Sequence, residues 1–161
     1  MKKKTFTYLK DGNSVNIIKN VLQLVYLENT GAAWGILSGK MVFFIVLTAI
    51  MIIVIAYVFI KTPGMKKYEP LRWCLTALMA GAIGNMIDRI ANGYVKDFIY
   101  FKIIDFPVFN FADICVTLSM IILILLVIFK YKDHDFKFLS FKKNKDESVD
   151  SDGKVNADDD K

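Results

Sequence analysis

Histidine is nearly missing from this chain of 161 residues: there is one, His134, and it lies in the polar C-terminal part. Cysteine is scarce too, with only Cys74 and Cys115. A structural or catalytic zinc site needs several such ligands at short spacing, and no such spacing occurs. The same shortage excludes a Ser-His-Asp or Cys-His nucleophile arrangement among the apolar segments. Each cysteine lies near the start of an apolar run, and consecutive spans run antiparallel. The two thiols are therefore expected in opposite leaflets, beyond the reach of a disulfide. Also missing is any basic groove with interleaved aromatics, which argues against nucleic acid as a partner. No metal and no cofactor is expected.

What the chain has in excess is apolar sequence, 55% of its residues. Residues 41–60 carry no charge. At about 1.5 Å per helical residue they reach roughly 30 Å, the thickness of a bilayer core. Residues 111–129 form a second run, broken only by Asp113 near its start. Residues 71–90 form a weaker third run, uncharged from Trp73 to Ile87, with Arg72 ahead of it and Asp88 and Arg89 after it. The reading is a mainly α, integral membrane protein with three visible spans in a transmembrane helix bundle.

Between the spans the composition changes. Val21 to Leu27 is rich in β-branched and aromatic residues, too short to cross a membrane as a helix, and reads as a strand. Asn29, Thr30 and Gly31 then turn the chain, and Asn92-Gly93 is a second turn signal. Residues 95–109 are β-like and broken by Pro107. The membrane domain is placed at residues 1–130, with a charged, disordered tail over 131–161. The net charge of +5 is uneven: residues 143–161 hold four lysines and seven acids, which leaves +8 on residues 1–142. Basic residues flanking spans set topology and meet anionic headgroups. Ten lysines and arginines flank the 61–70 loop and the tail, against four on the other side. The richer side should be cytoplasmic. Segments 10–40 and 91–110 then lie outside, together with a small extracytoplasmic β-structure. Lys2, Lys3 and Lys4 run against that orientation.

Ionisable side chains at span ends are costly, so they are candidates for function. Ala77, Gly81, Asn85 and Asp88 share one helix face at spacings of four, four and three. Asn110, Asp113 and Thr117 line another, and Asp97 lies in the loop between the two. These carboxylates and amides, with Arg89, are expected to converge near the outer surface. Each has a plainer reading. Asp88 and Arg89 suit an ion pair at a helix end, Asn85 and Asn110 suit interhelical hydrogen bonds, and Asp97 suits a solvated loop. Asp113 is the hardest to explain structurally, since it has no local basic partner. Two carboxylates in one site cannot both ionise cheaply, so one keeps a proton and the other can activate water.

Three blocks in order carry a resemblance: NTGAAWG from Asn29 to Gly35, GAIGNMIDRIANGYVKDFI from Gly81 to Ile99, and FNFADI from Phe109 to Ile114. They resemble lipoprotein signal peptidase, or signal peptidase II, over roughly residues 10–130. The resemblance implies a bacterial plasma-membrane aspartyl endopeptidase. Its substrates would be diacylglyceryl-modified prolipoproteins, cut ahead of the lipidated cysteine. Asp97 and Asp113 match the catalytic aspartates; Asn29, Gly31, Asn85, Asp88, Arg89 and Asn110 match the binding or supporting positions. Trp34 is expected near the membrane interface. The family has four spans, the first ahead of the strand region, and only three are visible here. Sequence upstream of Met1 is expected to supply about twenty mostly apolar residues, and the chain without them to be poorly stable and weakly active. The competing readings are a non-catalytic remnant that binds lipoproteins and a small transporter subunit. Retention of both aspartates, and the place of Asp113 at a span end instead of the midplane, weighs against these.

Overall fold

An uninterrupted apolar sequence, with every backbone polar group in need of a partner, leaves the helix as the solution for each long run. In the computed structural model, which describes residues 8–31 and 37–139, the three runs are helices α1 (Met41–Lys61), α2 (Glu69–Asn92) and α3 (Phe111–Leu125). A π-helical turn, Leu126–Lys130, prolongs α3. All three are long and apolar enough to cross a membrane. Trp34, Gly35, Lys2 to Lys4 and the tail beyond Leu139 lie outside the described residues.

The least apolar run occupies the centre. Helix α2 packs against both α1 and α3, and 22% of its most apolar stretch is buried, against 6% in each neighbour. Its charged ends need not be excluded, because they lie at the ends of the bundle. Pro70 sits in its first turn, where a missing N–H costs nothing. At its other end Gly93 adopts φ +88°, and its N–H closes on the Arg89 carbonyl at 3.0 Å. That left-handed cap suits glycine and releases the chain into a strand.

Gly81 sets how closely α2 and α3 approach. A Cβ built there would lie 2.6 Å from the Ala112 carbonyl oxygen and 2.9 Å from Val116 Cγ2. Small residues drive such crossings where lipid supplies no hydrophobic force between helices. The consequence reaches one turn further along α2, where Asn85 meets α3.

Three strands, β1 (Val15–Ile18), β2 (Leu22–Asn29) and β3 (Val95–Phe101), form an antiparallel sheet in that order. The strand expected at residues 21–27 is β2. The expected β-like stretch over 95–109 is β3 as far as Phe101, followed by a 3₁₀ turn at Lys102–Ile104. Past Pro107, which has no N–H to give, Phe109 rejoins the sheet. It exchanges backbone hydrogen bonds with Ile99 at 2.8 and 3.0 Å. The pairing of β2 with β3 puts Leu27 opposite Asp97 and Asn29 opposite Val95, with a bulge between Leu24 and Leu27. Asn29 thereby reaches the strand that bears Asp97.

At the far end of the bundle the packing is aromatic. Tyr68, Leu71, Leu75, Leu78, Ile55 and Tyr131 form a buried cluster, with Phe136 and Phe138 against it. Within the stretch expected as a charged tail from residue 131, residues 133–139 form a 3₁₀ segment packed on this cluster. Its anchor is Asp135, 6% exposed, which pairs with Lys67 and accepts the Lys132 N–H at 3.1 Å. Lys67 holds the Asp135 carboxyl below the usual carboxylate range. Composition points to disorder here because charge dominates; what holds these residues on the bundle is the packing of Phe136 and Phe138 and the pairing of Asp135 with Lys67.

Gly81→Ala should lower stability by about 1–3 kcal/mol, because the helix backbones must separate. Gly84→Ala should be neutral or stabilising by up to about 1 kcal/mol, since its Cβ would meet Ala112 Cβ at an ordinary 3.5 Å. Thermal unfolding of the two variants in detergent measures the contrast. Equal effects would remove Gly81 as the point of closest approach.

Candidate active site

Helix α3 opens on a capping box. Asn110 is the N-cap residue: its Oδ1 accepts the N–H groups of Ala112 at 2.7 Å and Asp113 at 3.1 Å. In return Asp113 Oδ2 accepts the Asn110 N–H at 3.0 Å. Both satisfy N-terminal donors that the helix leaves open. The Asn-x-x-Asp spacing was a readable signal for this cap. It also supplies the partner that Asp113 lacks among basic residues.

The cap fixes which way the amides point. With Asn110 Oδ1 held by the backbone, its Nδ2 faces outward and donates to Asp97 Oδ1 at 2.7 Å and to Asn85 Oδ1 at 3.1 Å. Asn85 is therefore oriented in turn, and its Nδ2 donates to Asp113 Oδ1 at 2.8 Å. On the sheet side the Gly31 N–H donates to Asn29 Oδ1 at 2.9 Å, so Asn29 Nδ2 donates to Asp97 Oδ2 at 2.8 Å. Every oxygen of the two carboxylates accepts one such hydrogen bond. The second lone pair on each oxygen stays available for water, a proton or a ligand.

Asp97 is 1% exposed and Asn110 4%, while Asp113 and Asn85 are half-buried. Burial pushes the Asp97 carboxyl above its ordinary pKa, and the Asp113 charge adds to this. The hydrogen bonds from Asn29 and Asn110, and the Arg89 charge, act in the opposite sense.

Asp97, Asp113, Asn29 and Asn85 all line a cavity of about 520 Å³. Its other wall is apolar: Phe106, Pro107, Val108 and Phe109 come from the segment between β3 and α3, and Ile114 and Leu118 from α3. These wall residues were missed in the sequence reading, since apolar residues beside a span carry no distinguishing signal. Arg89 also lines the cavity; its guanidinium lies over the Phe44 ring at 5.0 Å and reaches the Gly31 carbonyl at 3.4 Å. The Asp88–Arg89 ion pair considered for a helix end does not form; among the described residues Arg89 makes no salt bridge. Asp88 turns away from the cavity and accepts the Lys96 N–H at 3.2 Å and Asn92 Nδ2 at 3.2 Å. It ties the end of α2 to the start of β3. No group of three or more His, Cys, Asp or Glu among the described residues could hold a metal ion.

Fold and site together define a class: a small multi-pass membrane protein that holds two carboxylates and three amides at one end of its helices, against an apolar-walled cavity. Comparison with known proteins narrows it. The family model for signal peptidase (SPase) II, a peptidase family, matches residues 1–129. The lipoprotein signal peptidases of Staphylococcus aureus strains JH9 and Newman are each 44% identical over 121 residues, 74% of this chain and 73% of theirs. A bacterial membrane enzyme solved by the in meso method at 2.3 Å superposes with a TM-score of 0.67. It is 36% identical, with 89% of this chain and 87% of that one covered. A second bacterial membrane enzyme, solved at 1.9 Å by the same method, gives a TM-score of 0.63 at 40% identity, covering 74% and 77%. The chain belongs to the signal peptidase II family.

A carboxyl with a raised folded-state pKa stabilises the fold fully below its unfolded value, and that contribution is lost as pH rises through the folded value. Asp97 should therefore contribute a fall in the unfolding midpoint in detergent from acid toward neutral pH, and Asp97→Asn should remove that part of the pH slope. An unchanged slope in the variant would exclude Asp97 as its source.

Proposed function

We propose that this protein removes signal peptides from bacterial prolipoproteins as a membrane aspartyl endopeptidase. Its substrates are diacylglyceryl-modified precursors, and cleavage falls ahead of the lipidated cysteine. The observation that carries the reading is the joining of Asp97 and Asp113 through one residue, Asn110, beside an apolar-walled cavity. Family membership supports the substrate class.

The two carboxylates hold one proton between them. Burial makes Asp97 its natural holder, and the half-buried Asp113 is the carboxylate that activates water. The water attacks the scissile carbonyl as its proton passes to Asp113. Asp97 donates its own proton to the developing oxyanion, the division of labour of a two-aspartate site. Collapse of the tetrahedral species returns a proton to the leaving amine. Asn29, Asn85 and Asn110 keep both carboxylates oriented through these transfers. Arg89 and the Gly31 backbone bind substrate at the cavity edge, and Asp88 supports the site by holding α2 to β3. The apolar wall suits a signal-peptide segment and the lipid that anchors the cysteine.

In the membrane, the carboxylate end faces the extracytoplasmic side. The 61–70 loop and the residues after Lys130 face the cytoplasm, as the lysine distribution supports. A scissile bond held by lipid near the outer headgroups then meets the site without water entering the bilayer centre.

Asp97→Asn and Asp113→Asn should each reduce prolipoprotein cleavage by about a thousandfold or more, as loss of an essential catalytic group does, while both still insert in membrane. Asp88→Asn should cost less. Substantial cleavage by a purified Asp97 or Asp113 variant would remove that residue from the mechanism. Topology is checked separately with Lys96→Cys in a chain whose Cys74 and Cys115 are replaced. An impermeant thiol reagent should label it on intact cells, and labelling only after lysis would reverse the orientation.

A further inference from the structure

A second cavity of about 520 Å³ opens at the other end of the bundle, where α1 ends and α2 begins. Phe59 and Gly64 border it on one side; Glu69, Arg72, Trp73 and Thr76 border it from α2. The α2 residues stand at i, i+3, i+4 and i+7, so one helix face presents them all. The site just described makes no use of them.

The side chains are arranged for a charged ligand at an interface. Arg72 stacks its guanidinium on the Phe59 ring at 4.4 Å and donates one N–H to the Thr62 carbonyl at 3.0 Å. This fixes the group and leaves its other donors unused among the described residues. Glu69 is exposed and makes no side-chain hydrogen bond or salt bridge among the described residues, although Arg72 is only three positions away. Trp73 is 74% exposed. An indole so exposed at a span end belongs at the headgroup level of a bilayer. A cation fixed on an aromatic ring, an unpaired carboxylate and an interfacial indole thus share one concave surface.

We infer that this cavity binds a phospholipid headgroup carrying both a phosphate and a primary ammonium, with the phosphate on Arg72 and the ammonium on Glu69. Trp73 and Phe59 meet the glycerol and upper acyl region. Charge complementarity selects this occupant. Lys61 and Lys66 are exposed nearby and would attract any anionic lipid, yet neither lines the cavity, whereas Glu69 does. A purely anionic headgroup placed on Arg72 would sit against an unpaired carboxylate. An ammonium-bearing headgroup satisfies both charges.

The test uses the full chain in detergent, with thermal unfolding followed as short-chain phosphatidylethanolamine, phosphatidylglycerol, phosphatidylcholine or inorganic phosphate is added. Phosphatidylethanolamine should stabilise saturably at a concentration about threefold lower than phosphatidylglycerol, the scale of one interfacial ion pair. Phosphatidylcholine, whose quaternary ammonium cannot hydrogen-bond to a carboxylate, should act more weakly than phosphatidylethanolamine. Glu69→Gln should abolish the preference over phosphatidylglycerol while the variant stays folded. Arg72→Gln should weaken the response to every lipid. A preference for phosphatidylglycerol in the unaltered chain, or a preference surviving Glu69→Gln, overturns the assignment. An equal shift with inorganic phosphate would mean an anion site in place of a lipid site and overturns it as well.

Discussion

The carboxamide of Asn110 has one acceptor end and one donor end, and the structure commits both. Its oxygen takes two backbone N–H groups at the start of α3; its nitrogen reaches Asp97 and Asn85. Its own N–H is taken by Asp113. Starting the last helix and bringing the two carboxylates together are therefore one event. A buried polar cluster left half-satisfied costs more than an apolar one, and this cluster has no unsatisfied member: among the described residues no buried side-chain polar atom lacks a partner. The chain of amides is also directional. Backbone groups at Ala112 and Gly31 set the first two, and the third follows from Asn110.

Such a cluster is useful only if the elements bearing it are held at fixed separation. Gly81 does this between α2 and α3 by letting one backbone rest on the other. Asp88 does it between α2 and β3, through the Lys96 N–H. The antiparallel register does it between β2 and β3 by bringing Asn29 beside the Asp97 strand. At the opposite end, Tyr68 and Tyr131 stack with ring centroids 5.6 Å apart, and Lys67 pairs with Asp135. The two ends are thus built on different principles: amide–carboxylate hydrogen bonds around a cavity at one, aromatic packing with the ion pairing of Asp135 at the other.

The function proposed above gives the carboxylate end its meaning, and membrane physics accounts for the position proposed for it. A peptide bond ahead of a lipid-anchored residue can be hydrolysed where water, headgroup and acyl chain meet. A site at the mouth of the spans, walled by Phe106, Pro107 and Val108 on one side and by amides on the other, offers both environments within one cavity. Placing the same carboxylates at mid-bilayer would require them to be desolvated without this contact with the aqueous side.

By itself the sequence determined the three spans, the strand at β2, and the residues worth suspecting. Apolar length and polar residues at span ends are local properties, and the energetic cost of violating them in lipid is large. The Asn-x-x-Asp cap was equally local. Only the tertiary structure decided which suspects meet. Asp88 and Asp97 are both carboxylates close to the end of α2, yet one ties down a helix end and the other is buried at the centre of the cluster. That difference arises from the turn at Gly93 and the β2–β3 register, neither of which shows in composition or periodicity. The ordered segment at 133–139 was hidden for the same reason. Its charged composition favours solvent, and what holds it is a pairing of Asp135 with Lys67, which is 68 residues away in the chain. Contacts at that separation depend on how the helices pack, and helix packing in a membrane is set by small steric details such as the missing Cβ of Gly81.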